Sequence, residues 1–236
     1  LALLVAIYTV NFLDRQVVTL LIEPIKSELK LDDFQVGAMG GLWFALLYTV
    51  LGIPIARIAD RGDRPMIMTI SLAVWSGFTL LAGAAWNFVV LAIARMGVGV
   101  GEAGCTPTAH SLISDYFPKA SRARAMAIYS MGISIGSLLG MALGGIIAGS
   151  WGWRAAFYIA GAPGLLLAAL AAFSLVEPRR AANFKPTAHA PHIPITQALG
   201  VLSRKPTFWF LALAGAFASS VSYSHSFFLT SYFLRN

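Results

Sequence analysis

Charge is scarce in this chain. Lys, Arg, Asp and Glu together make up 11% of its 236 residues, against about 25% in a soluble domain. Cysteine is nearly absent: Cys105 stands alone, which excludes a disulfide framework or a zinc cluster of cysteines. No HExxH, no GxSxG with partner residues and no Walker sequence occurs, so the expectation is a protein that is not an enzyme and takes no cofactor or metal. Basic residues outnumber acidic ones by 17 to 10. They gather in alternate loops rather than on one face, which argues against nucleic acid as a partner.

What fills the chain instead is apolar: 58% hydrophobic residues and a mean hydropathy of +0.73. The fold class expected is an all-α membrane protein. A span takes about 20 mostly apolar residues, and seven runs qualify: 1–22, 34–56, 65–84, 88–116, 125–150, 155–176 and 206–234. Arg57, Arg61 and Arg64 follow the second run, Lys119, Arg122 and Arg124 the fourth, and Arg179, Arg180, Lys185, Arg204 and Lys205 the sixth. The loops on the other side carry Glu23, Glu28, Asp32 and Asp33. The positive-inside rule then puts the N-terminus in the cytoplasm. Three segments are expected: a six-helix bundle over 1–176, a linker over 177–205, and a seventh span over 206–236. In the linker, Ile195, Leu199 and Leu202 fall at i, i+4, i+7, the pattern of a short amphipathic helix, with a disordered tether as the alternative. Neither Leu1 nor Asn236 looks like a natural end, and the layout is that of half a duplicated architecture plus its next helix.

Ionisable side chains inside apolar runs cost at least about 2.5–3.5 kcal/mol each and normally face an interior path. Asp14 and Arg15 interrupt the first run; Arg95 and Glu102 interrupt the fourth. Arg95 and Glu102 are separated by nearly two turns and share a face, roughly 10 Å apart. They form either a structural tie or a pair that makes and breaks. Asp14 and Arg15 point about 100° apart and do not pair face to face. Around Glu102 lie Gly97, Gly99, Gly101 and Gly104, then Pro107, a composition that suggests loosened or irregular backbone near mid-membrane. Gly132, Gly136, Gly140 and Gly144 recur every fourth residue on the fifth run, a smooth groove for another helix backbone. Asp60, Arg61 and Arg64 sit in the five-charge loop 56–64 and, with Arg124 beyond the fourth span, suggest a latch that must break when domains move, the alternative being a basic loop that only sets topology. Trp43, Phe44 and Tyr48 are candidates to line a greasy cleft, with packing or lipid contact as the alternative for each.

As a set these motifs resemble the major facilitator superfamily. The loop 56–64 resembles its signature between helices two and three, with Ala56 and Asp63 at usual glycine positions and Gly62 one place early. Arg95 with Gly99 resembles the helix-four motif, and Gly136, Gly140, Gly144 and Gly145 the helix-five motif without its proline. Trp151-Gly152-Trp153-Arg154-Ala155-Ala156-Phe157 resembles the start of helix six. Within the superfamily, Asn11-Phe12-Leu13-Asp14-Arg15, Gly99-Val100-Gly101-Glu102-Ala103 and Ser114-Asp115-Tyr116-Phe117-Pro118 are similar to the Spinster family, as a bacterial member. The resemblance implies a twelve-helix fold, of which this chain holds the N-terminal bundle and helix seven. It implies a monomeric secondary transporter of the inner membrane that works by alternating access. It implies proton coupling through Asp14 and Glu102, with Arg15 and Arg95 as charge partners, and a lysophospholipid or sphingolipid cargo. Drugs, organic acids or sugar phosphates are the alternative cargoes, and a channel-like facilitator is the alternative class.

Overall fold

The computed structural model describes residues 1–178 and 195–235. Every regular element among them is helical. The chain divides into two compact units, Leu1–Ala181 and Ala182–Asn236. The first contains α1 (Ala2–Leu20), α2 (Ile22–Leu29), α3 (Asp33–Gly37), a π-turn over Ala38–Leu42, α4 (Trp43–Arg61), α5 (Arg64–Gly83), α6 (Phe88–Tyr116) and α7 (Lys119–Ser174). The second contains α8 (Ile195–Ser203) and α9 (Pro206–Arg235).

Four helices among the described residues, α1, α5, α6 and α7, are long and apolar enough to cross a membrane. With 56 residues, α7 has more than twice the length one crossing needs. It is broken by one non-helical residue, Gly152, at φ 81° and ψ 168°. That backbone region is essentially reserved for glycine, so the fifth and sixth apolar runs part at the one residue type that can take the turn. Phe44–Ala59 and Pro206–Ser222 are shorter apolar helical stretches.

Side-chain caps set the helix starts. Asn87 Oδ1 accepts from the Val90 N–H at 2.9 Å and opens α6. Asp63 Oδ1 accepts from the Met66 N–H at 3.0 Å, with Pro65 at the first turn, and opens α5. The aspartate standing at a usual glycine position is thus an N-cap. Asp32 and Gln35 form a capping box at α3.

Close backbone approach holds the first unit together. On α7, Gly132, Gly136, Gly140 and Gly144 are buried and face α1. A Cβ on Gly136 would lie 2.2 Å from the Thr9 carbonyl oxygen, and one on Gly140 2.7 Å from that of Leu13. Gly97, Gly101 and Gly104 of α6 do the same against α5. A Cβ on Gly101 would lie 2.5 Å from the Trp75 backbone nitrogen, and one on Gly97 or Gly104 would strike Phe78 or Ser71. This corrects the expectation of loosened backbone in the fourth span. α6 runs unbroken through its glycines and Pro107 from Phe88 to Tyr116, because a glycine face pressed on a neighbouring helix strengthens packing rather than weakening the helix.

Candidate functional site

The buried stripe of α1 steps by threes and fours through Leu4, Ile7, Asn11, Asp14 and Val18. An apolar face with this spacing goes inward, and it carries Asp14 with it. The stripe of α5 steps through Met68, Leu72, Trp75, Thr79 and Ala82, which brings the Trp75 indole toward the same point. α6 is buried over most of its middle. Three helices therefore meet around charges that none of them can expose to lipid.

The four charges pair crosswise between helices. Arg15 donates from Nε to Glu102 Oε2 at 2.8 Å and from Nη2 at 2.5 Å. Arg95 Nη1 lies 3.6 Å from Asp14 Oδ2, and Trp75 Nε1 donates to the same oxygen at 3.4 Å. The ties thus run from α1 to α6, not between Arg95 and Glu102 along α6. Asp14, Glu102 and Arg95 are 0%, 1% and 3% exposed, so each depends on its partner for compensation. Among the described residues, Asp14 Oδ1, Glu102 Oε1 and Arg95 Nε make no hydrogen bond. Each carboxylate is therefore hydrogen-bonded through one oxygen while the other is buried, with Thr79 of α5 also against Asp14.

Aromatic rings complete the cluster. The Arg15 guanidinium carbon lies 5.3 Å from the Phe12 ring centre, 5.2 Å from that of Phe44 and 5.4 Å from that of Tyr48. The Arg95 carbon lies 5.5 Å from the Phe44 centre. All are within the ~6 Å reach of a cation–π contact. The side chain of Trp43 lies outside the described residues.

Toward the end of the first unit where α5 begins, a second buried cluster forms around Arg64, which is 0% exposed. Its Nε donates to Glu177 at 3.0 Å, its Nη1 to Asp115 Oδ2 at 2.7 Å and to the Ser111 hydroxyl at 2.9 Å, and its Nη2 to Glu177 Oε1. The Arg64 N–H also donates to Glu177 Oε2 at 3.0 Å. Glu177 and Asp115 were given no role above: Glu177 directly follows the sixth apolar run and Asp115 lies at the end of the fourth. A carboxylate at the end of a span was the available signal. Of the other expected latch residues, Arg124 is exposed, and the side chains of Asp60 and Arg61 lie outside the described residues. So do residues 179–194 of the linker, with Arg179, Arg180 and Lys185 among them.

At the opposite end of α5, Glu28 of α2 accepts from the Trp153 indole N–H at 2.6 Å and from Arg154. Arg154 also donates to the Ala85 carbonyl at 3.1 Å. These two donors hold the Glu28 carboxyl below its usual range. The pin joins α2, the turn before α6 and the segment just after Gly152.

The pattern of the Major Facilitator Superfamily matches residues 4–236. The chain belongs to that superfamily. It is 36% identical over 227 residues to an MFS-type efflux pump of Mycolicibacterium smegmatis, covering 96% of this chain and 52% of the relative. It is 30% identical over 237 residues to protein spinster homolog 1 of Rattus norvegicus, covering 96% and 44%. Two crystal structures of a bacterial homologue of the human lysosomal transporter Spinster, both inward-facing, superpose with TM-scores of 0.86 (unoccupied) and 0.82 (occupied), each at 38% identity. The first covers 99% of this chain and 55% of that protein, the second 97% and 52%. The chain spans about half the length of these relatives. The Spinster likeness holds in sequence and in structure alike, and the all-helical fold is that of the superfamily's N-terminal bundle.

Proposed function

We propose that the full-length protein is a proton-coupled secondary active transporter that moves an amphiphilic, lipid-like substrate by alternating access. The observation that carries this reading is the crosswise pairing of Asp14 with Arg95 and Glu102 with Arg15. A proton taken up by either carboxylate removes the charge that compensates its arginine. A buried guanidinium without a counter-charge costs several kcal/mol, so the α1–α6 contact must rearrange. Proton occupancy is thereby converted into helix movement, and the bundle rocks against its missing counterpart. The Arg64 cluster is the latch of this cycle, on the cytoplasmic side if the basic loops face inward. The site then stands between that latch and an outer pin at Glu28, in a bacterial inner membrane with the N-terminus cytoplasmic.

The cargo reading has two supports. Arg15 is the partly exposed member of its pair, at 17% against 0% for Glu102. A guanidinium flanked by Phe12, Phe44 and Tyr48 suits an anionic headgroup next to an apolar tail. The second support is the likeness to Spinster proteins. A drug-efflux reading stands beside it, because the mycobacterial efflux pump shares 36% identity over 96% of the chain.

Competition in proteoliposomes separates the two. Excess unlabelled lysophospholipid is expected to reduce uptake of labelled lysophospholipid about tenfold, while a hexose phosphate or a lipophilic cationic dye leaves it unchanged. Dye transport that lysophospholipid does not inhibit, with no lysophospholipid uptake, would favour the efflux reading.

A further inference from the structure

The ring of Phe44 touches both halves of the charge cluster. Its centre lies 5.2 Å from the Arg15 guanidinium carbon and 5.5 Å from that of Arg95. These are the two arginines that hold Glu102 and Asp14. No other ring among the described cation–π contacts serves both. Tyr48, one turn on, stacks with Phe44 at 5.8 Å and an interplanar angle of 21°, and itself lies 5.4 Å from the Arg15 guanidinium carbon.

The position of Phe44 is fixed by backbone as well as by its ring. A Cβ on Gly99 would lie 3.0 Å from the Phe44 carbonyl oxygen, so α4 is pressed onto α6 where the latter lacks a side chain. The π-turn Ala38–Leu42 ends two residues earlier. Such turns re-aim the residues that follow them and recur at functional sites.

We infer that Phe44 is a positioning residue that couples the two ion pairs, so that neither arginine changes partner without the other responding. This rests on the proton-coupled reading above. An aromatic face attracts a guanidinium through its quadrupole, and here one ring serves two cations. When one carboxylate is neutralised and its arginine shifts, the ring contact at the second arginine changes with it. A chain of packed groups of this kind carries coupling only if its middle member is required, and Phe44 is that member.

The test compares coupling with and without the ring. Asp14→Asn and Glu102→Gln are made singly and together in the full-length protein, first with Phe44 present and then in Phe44→Leu and Phe44→Tyr backgrounds. Thermal unfolding in detergent is followed for each. The direct interaction between the two carboxylates is common to all backgrounds and cancels. Expected is a non-additivity with phenylalanine or tyrosine clearly larger than with leucine, where only the direct interaction remains. Equal non-additivity in all three would overturn the inference. Counterflow of labelled lysophospholipid gives a second readout. Phe44→Leu is expected to lose about tenfold more in gradient-driven accumulation than in exchange; equal losses in both would also overturn it. If the protein without these substitutions moves no lysophospholipid, the cargo reading fails, while the unfolding comparison still decides the role of Phe44.

Discussion

Gly136→Val is expected to prevent recovery of folded protein from the membrane. The first added atom alone would sit 2.2 Å from the Thr9 carbonyl oxygen and 3.0 Å from Phe12 Cβ. The nearer of these is backbone, so no rotamer change relieves the clash and α1 itself must move away. Ordinary overpacking of a core costs about 1–3 kcal/mol, and forcing two helix backbones apart exceeds that. The displaced segment of α1 also carries Asp14 and Arg15, so the ion pairs to α6 would be lost together with the packing. Gly145→Val is the control, because a Cβ there meets nothing within 4 Å. Size-exclusion profiles of fluorescently tagged full-length protein read both. A normal monodisperse peak for Gly136→Val would show that the contact between α1 and α7 is not as close as described.

The second large effect concerns the Arg64 cluster. Arg64→Met takes the guanidinium away from Glu177, which is buried at 6% exposure. Breaking a buried pair by removing one partner costs about 3–5 kcal/mol. Replacing both members with apolar residues of similar size removes the charge as well as the tie, so Arg64→Met combined with Glu177→Leu is expected to recover more than half of the loss. Arg124→Ala, on an exposed side chain, is expected to change little. Thermal unfolding of the full-length protein in detergent ranks the three. A single-mutant loss no larger than that of Arg124→Ala would mean that Arg64 does not hold this end of the bundle. The same series tests the proposed latch role: with the tie gone, a cysteine placed in the half of the bundle nearest Arg64 should react faster with a water-soluble thiol reagent.

The limits of what the chain discloses before folding follow from geometry. The helices were legible because apolar runs have a length and charged loops interrupt them. The glycine stripe of α7 was legible because a four-residue period stays on one face. Asp14, Arg15, Arg95 and Glu102 stood out because each is costly in an apolar run. Their partners did not, since pairing depends on how α1 and α6 are rotated about their own axes, which local spacing does not encode. The same gap explains the misreading of Gly97, Gly101 and Gly104: a glycine shows that something comes close, not that the neighbour is α5. Glu177 passed as linker because a charge followed by Pro178 is an ordinary way to end a span, and a sequence separation of 113 from Arg64 hides the contact. Asp63 looked like a departure from a motif until its side chain was seen capping α5.

The central claim is that proton occupancy of the buried carboxylates drives movement of this bundle. It is tested most directly by uptake of labelled lysophospholipid into proteoliposomes holding the full-length protein, with and without an imposed pH gradient, beside Glu102→Gln. Glutamine keeps the size of the side chain and cannot take up a proton. The expected result is accumulation that requires the gradient and falls about a hundredfold or more in Glu102→Gln, with folded protein confirmed in both preparations. Gradient-dependent accumulation that survives in Glu102→Gln at the original rate would contradict the claim for that carboxylate.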